Sequence, residues 1–425
     1  MSELKRLLEG AGLDGWRVSE TATESYELFF VHKSLETVRA TDTVTTQVTV
    51  YVDHDGKRGD STFSVYGSMT TDDLKKKIQA AADRARLVFN EPYELPQGGT
   101  LEVSLPTNMD TADMKQLGRQ IADAVFAADT VEGGSINACE IFLYRDTVRV
   151  QNSRGIDKKQ HVCRVMIEAI PTFTTEKESV ELYEDHRFTS FEPEKVTAEI
   201  ARRMREVRDR SLAVKPRTPL TVNVLLRPQE IRSLLTDLAY DANYSAVYSH
   251  ANLHKVGDDL QAGGDGDKLT FILKAILPGC EKSSYFDGDG MALTDTCILQ
   301  DGVVKNNYGS SRFGQYLGVK EISGDLPMNV SLAAGTLTKE EIQAAPYIEA
   351  ASLSGLQVDL YNDYIGGEIR LAYYFDGQET RPVTGITMSA KLSDVLRHLR
   401  LTANICAEGA YEGPERLMMR NVAIL

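Results

Sequence analysis

The chain has 425 residues, 42% of them hydrophobic, and a formal net charge of −15. That length can bury a large core and suggests two or three domains. The acidic balance, with no basic block, argues against a nucleic-acid binder, and no apolar run is long enough to span a bilayer.

The opening Met1 to Arg6 leads into a short amphipathic stretch without an apolar h-region, so a cytoplasmic protein is expected. In a first segment, 1–95, Val44, Val48, Val50 and Val52 alternate with polar positions and predict a half-buried strand. His54 to Lys57 supplies a turn, and Ser61 to Tyr66 reads as the returning strand. Thr70 or Thr71 then caps a helix of about Asp72 to Phe89. Lys75, Lys76 and Lys77 are the solvated face of that helix, opposite Leu74, Ile78, Ala81, Ala85 and Val88. Glu91 to Gly99 is a linker rich in breakers.

A second segment, 100–216, holds a helix with Met114, Leu117, Ile121, Ala124 and Val125 on one side. Strands are predicted over 140–150 and 162–170, joined by the turn Asn152 to Gly155. Pro193 begins a helix with Val196, Ile200, Met204 and Val207 inward. Its arginines are balanced by Glu194, Glu199, Glu206 and Asp209. The third segment, 217–425, starts with a strand over 220–226 and a helix from Pro228. Strands follow over 269–277, 296–300 and 368–375. Thr338 to Glu341 forms a capping box, and Leu392, Val395, Leu396 and Leu399 mark a last helix. The class is α+β: an N-terminal α/β region with antiparallel strands and a β-rich C-terminal domain.

Few motifs carry chemistry. His250 and His254 stand four apart, the spacing that lets two imidazoles share a zinc ion on a helix. Ala251 replaces the glutamate that a zincin would need. Asp287-Gly288-Asp289-Gly290 hints at a calcium loop, but Met291, Ala292 and Ile298 stand where ligands and a glycine belong, which favours a hairpin turn. Asp185 and His186 read as a solvated hairpin edge rather than an acid/base pair. Five cysteines are scattered without a CxxC, as expected for reduced thiols in a cytosolic protein. Tyr361, Tyr364, Tyr373 and Tyr374 crowd the C-terminal hairpin. They are candidates for a peptide groove or an interface, and ordinary sheet packing explains them nearly as well.

An ordered series of phrases resembles the TldD/PmbA (TldD/TldE) family, historically labelled modulators of DNA gyrase. The phrases are Val48 to Gly59, Asn152 to Gly155, Phe286 to Gly290 with Leu299 to Val303, Gly335 to Glu341, Leu353 to Asp359, and Arg381 to Gly385 running on to Leu392. Tyr364 to Gly367 departs from the family pattern. The resemblance implies a dimer built from two kinds of subunit: a zinc peptidase carrying HExxxH, and a TldE or PmbA kind that lacks it. Here Asp241 to Tyr248 resembles the second kind and holds no histidine or glutamate. A non-catalytic subunit is therefore expected, with no cofactor of its own. Its partner would be a zinc-bearing TldD-type chain or a second copy, and its substrate unfolded peptide. Two alternatives stay open. One is an autonomous metallopeptidase using His250, His254 and Cys406. The other is a non-enzymatic regulator of a protein such as a topoisomerase.

Overall fold

A computed structural model describes residues 2–425. The first 188 residues build one eight-stranded sheet. Its strands are β1 (Gly15–Val31), β2 (Ser34–His54), β3 (Lys57–Val65), β4 (Thr100–Ser104), β5 (Gly134–Asn152), β6 (Asp157–Thr174), β7 (Ser179–Glu181) and β8 (Glu184–Phe188). The main path runs β3-β2-β1-β5-β6-β4, with β7 and β8 also on β6. The segments 1–95 and 100–216 thus share a continuous sheet, joined where β1 pairs β5 from Arg17↔Asn152 to Val31↔Ala138.

What divides them is the helical layer. Helices α1 (Ser2–Glu9) and α2 (Thr71–Ala85) cover one end of the sheet through Leu4, Leu8, Leu74 and Ile78 against Trp16, Val18, Val48 and Val50. Helices α3 (Met114–Ala127) and α4 (Pro193–Leu212) cover the other end through Ile121, Val125, Ile200 and Met204 against Leu28, Ile141 and Ile167. Alternation along each strand puts both sets on the same face. Thr70 caps α2 with a full capping box through Asp73. The helix stops at Ala85, short of the expected Phe89, and Leu87 and Phe89 are exposed.

The C-terminal half is built from two sheets around the largest core. One contains β9 (Leu220–Leu226), β14 (Tyr347–Leu353), β15 (Gln357–Asp359), β16 (Tyr364–Phe375), β17 (Thr380–Val383), β18 (Ile386–Lys391), β19 (Arg400–Leu401) and β22 (Leu417–Ile424). Its path β14-β9-β22-β18-β16 closes into a barrel because β14 also pairs β16. The other sheet contains β10 (Phe271–Leu273), β11 (Thr296–Gln300), β12 (Val303–Val304), β13 (Val330–Leu332), β20 (Ile405–Glu408) and β21 (Tyr411–Pro414). Helices α5 (Pro228–Asp241), α6 (Tyr244–Tyr248), α7 (Ser311–Tyr316), α8 (Lys339–Gln343) and α9 (Leu392–His398) complete this half. No helix among the described residues is long and apolar enough to cross a membrane.

Side-chain contacts lock the halves together. Gln160 of β6 accepts from the Tyr285 N–H at 2.8 Å and donates to the Ser283 carbonyl at 3.3 Å. Arg17 pairs with Asp289. Glu206 of α4, expected among the surface charges, is buried; it binds Arg227 at 2.6 Å and Arg203 at 2.8 Å. Arg227 also reaches Glu349, which holds Arg416. The Asp287 to Gly290 stretch is indeed a turn. The Asp287 carboxylate accepts the N–H groups of Asp289, Met291 and Asp325, using its oxygens to staple backbone.

Candidate functional site

The junction of α5 and α6 occupies the place where the family resemblance would put zinc ligands. Pro228 starts α5, and Ile231, Leu234, Leu235 and Leu238 anchor it in the main core. Asn243 then caps α6 by accepting from the Ser245 N–H at 2.9 Å. Tyr308 clamps the break, accepting from the Tyr244 N–H at 2.7 Å and donating its own N–H to Ala242 at 3.2 Å.

Helix α6 ends at Tyr248, and His250 adopts a left-handed φ of 57°. His250 to His254 is therefore a loop, and the two imidazoles do not share a helical face. The loop is shaped by Asp241, the last residue of α5. Its carboxylate accepts from the backbone N–H groups of Leu253 (2.6 Å) and His254 (2.9 Å), and sits 2.9 Å from His254 Nδ1. That bond raises the His254 pKa above the usual imidazole value, against the opposing effect of burial. For Asp241, burial pushes upward but is outweighed by His254 and the two N–H groups, so its pKa falls. One nitrogen of His254 is thus already committed.

Cys406 lies on β20, opposite Gly413. Burial, with Glu408 and Glu415 nearby, pushes its thiol up to about 11, which disfavours the thiolate that would bind zinc. Among the described residues no group of three or more His, Cys, Asp or Glu is placed to hold a metal ion. The residues present do not fit a zinc centre.

The tyrosines do not line one groove either. Tyr361 is exposed and donates its hydroxyl to the Ala251 carbonyl, beside the His250 loop. Tyr364 folds over its own strand: a Cβ at Gly366 would lie 2.2 Å from its hydroxyl. Tyr373 points to the first half of the molecule and donates to Asp209 of α4 at 2.9 Å, packed with Val207 and Leu371.

An aromatic cluster that the sequence did not reveal lies beside α6. Tyr248 contacts Phe313 and Tyr316 of α7 at centroid distances of 5.7 and 5.0 Å, and Tyr316 meets Tyr93 of the linker at 6.0 Å. The Arg312 guanidinium lies within 5.6 Å of the rings of Tyr93, Phe313 and Tyr316 and donates to Asn90 at 2.6 Å. Gln315 treats Glu94 as a neighbouring strand would. It accepts from the Glu94 N–H and donates to its carbonyl, both at 2.8 Å. The linker is thereby bound to the C-terminal half.

A groove of about 760 Å³ lies elsewhere, on the bare middle of the first sheet between the two helical layers. Glu24, Asp42, Asp110, Arg145 and His161 line it. Arg145 is tied to the Ala112 carbonyl and Glu24, and His161 bridges Thr147 and Glu102, so both side chains are already engaged within the protein.

Residues 219–424 match the family described as the PmbA/TldA metallopeptidase C-terminal domain. The carboxy-terminal half of this chain is a PmbA/TldD-family domain. The resemblance read from the sequence is borne out, and so is the α+β architecture. Solved structures extend the likeness to the full length. TldE from Thermococcus kodakarensis superposes with a TM-score of 0.81 at 13% identity, covering 99% of each chain. A protein described as a modulator of DNA gyrase, from Bacteroides thetaiotaomicron, gives 0.82 at 16% identity over 100% of this chain and 98% of its own. A similarly described protein from Thermotoga maritima gives 0.76 at 14% identity over 100% and 99%. At these identities the likeness is one of fold. No curated protein matches the chain in sequence.

Proposed function

We propose that this chain is a TldE-like, non-catalytic subunit of a TldD/TldE-type metallopeptidase system that acts on unfolded peptides. The residues of the α5–α6 junction carry this reading. The stretch Asp241 to Tyr248 offers no histidine or glutamate, and the nearby His254 is spent on ordering its own loop. A peptidase metal needs several converging ligands and a polarised water, and this junction supplies neither. What it does supply is the aromatic cluster around Tyr248 and a fixed loop, suited to shaping a chamber beside a catalytic chain. Peptide would be held by main-chain pairing, which tolerates many sequences.

The test is affinity purification from the native host, followed by peptidase assays. The expected result is co-elution of an equimolar chain bearing HExxxH, with chelator-sensitive cleavage of unfolded peptide by the pair and none by this chain alone. Chelator-sensitive cleavage by this chain alone, lost on changing His250 and His254 to alanine, would overturn the reading.

A further inference from the structure

Helix α5 carries a charge that nothing in the chain answers. Ile231, Leu234 and Leu235 root the helix in the main core, and Arg232 is half-buried at the rim of that core. Its Nε–H donates to the Met328 carbonyl at 3.1 Å. Among the described residues the two terminal nitrogens of the guanidinium have no partner, and no carboxylate pairs with it. A guanidinium drawn partly out of water ordinarily meets a carboxylate, because an uncompensated, desolvated charge is costly. Desolvation accordingly holds the Arg232 pKa below its ordinary value.

A second cation without a counter-charge lies beside it. The residue after Met328 is Asn329, whose side-chain oxygen accepts from the Cys280 thiol at 3.2 Å. The loop that carries Lys282 is thereby fastened next to the Arg232 contact. Lys282 is exposed and makes no ion pair among the described residues. Desolvation first, and the Arg232 charge second, lower its pKa, which agrees with their closeness. The neighbouring Glu281 is taken by Arg187 at 3.3 Å, and Arg187 is also held by Asp185 at 3.0 Å. Arg187 thus has carboxylates of its own, whereas Arg232 and Lys282 have none. In a chain with a net charge of −15, two adjacent unmatched cations point to an anion from outside.

We propose that Arg232 and Lys282 bind a carboxylate of a peptide. The free end of the guanidinium is a planar fork that matches the two oxygens of a carboxylate, and Lys282 adds a point charge on the solvent side. The carboxylate is the peptide's C-terminus or an acidic side chain, which present the same two oxygens. For its ligand this inference rests on the proposed handling of unfolded peptide. Main-chain pairing alone holds a peptide in any register, and a carboxylate anchor fixes one.

Titration calorimetry of the full chain with three acetylated peptides of one otherwise uncharged, unstructured sequence tests this. The first ends in a carboxylate, the second in an amide, and the third in an amide with one internal glutamate. The long-range field of the acidic chain opposes a negatively charged peptide, so a preference for acid over amide must come from local cations. The acid should bind about ten-fold or more tighter than the amide. Arg232→Gln should bring the two within about two-fold, and Arg232→Lys should restore only part of the preference, because a point charge replaces the fork. Lys282→Gln, at an exposed position, should cut the preference about three-fold. A glutamate peptide that binds like the acid marks a site for any carboxylate, and one that binds like the amide marks a site for the terminus; both support the proposal. Equal binding of acid and amide by the wild type overturns it, as does binding of none of the three. A preference unchanged in both Arg232→Gln and Lys282→Gln also overturns it, and Lys282→Gln decides alone if Arg232→Gln fails to fold. Equal binding would leave peptide handling intact, and the co-purification test of the subunit reading depends on neither cation.

Discussion

Replacing Glu206 by alanine tests the charged pin between the halves. Glu206 is 3% exposed, and its two oxygens take guanidinium groups from Arg202 (3.3 Å), Arg203 (2.8 Å) and Arg227 (2.6 Å). Removing one member of a buried pair costs about 3–5 kcal/mol, because the remaining charge stays desolvated. The lower end applies here. Arg227 keeps Glu349 at 3.0 Å, and Arg202 is one-third exposed and can turn to water. About 3 kcal/mol is therefore expected from the transition that reports the C-terminal half in urea, followed by far-UV circular dichroism. The single tryptophan, Trp16, sits in the core under α1 and α2, so its fluorescence should shift less. Glu206→Ala combined with Arg227→Ala should cost less than the sum of the two, by about 1–3 kcal/mol. Burial pushes the Glu206 pKa up, but Arg227, Arg203 and Arg202 outweigh it and hold it below 4.5. Its contribution is present above that unfolded value and fades as pH falls through the lowered folded one, so the gap between wild type and variant should close in acid. A single-variant loss under about 0.5 kcal/mol, or strict additivity, would refute the buried-pair argument.

Two further outcomes follow from the site. The raised pKa of His254 means that its bond to Asp241 stabilises the fold below the unfolded value of 6.5, and that this is lost as pH rises through the folded value. Wild type should exceed His254→Ala by up to about 1 kcal/mol near pH 5.5 and by little near pH 8.5, read from urea midpoints. An equal gap at both would contradict it. Gln315→Ala removes both hydrogen bonds to the Glu94 backbone, so amide exchange across the linker should quicken about ten-fold while exchange in β5 stays unchanged. Unaltered exchange at Glu94 would show that the aromatic contacts alone hold the linker.

What the sequence made legible is what is decided within a few residues. The capping boxes at Thr70 and Thr338, Pro193 and Pro228 at helix starts, and the Asp55-Gly56 turn all sit where local chemistry predicts them. The seventeen-residue β1 escaped notice for a physical reason. In its middle, Ala22 and Glu24 lie at the open groove between the helical layers, and polar residues such as Ser19, Thr21 and Thr23 alternate with them, so neither face needs an apolar period. Without β1 the union of the two N-terminal segments could not be read, because β1 and β5 pair across more than a hundred residues of sequence. Glu206 was hidden in the same way. Among balanced charges on an amphipathic helix it looks solvated, and it is Arg227, at the start of α5 and itself held by Glu349 of β14, that makes it a buried junction. At the site, the spacing of His250 and His254 suggested a shared metal ion only on the assumption of a helix. The left-handed turn at His250 and the reach of Asp241 across twelve residues make it instead a loop that positions itself. The junction's chemistry is thus consumed by its own structure, and it is on this observation that the proposal of a partner rather than a catalyst rests.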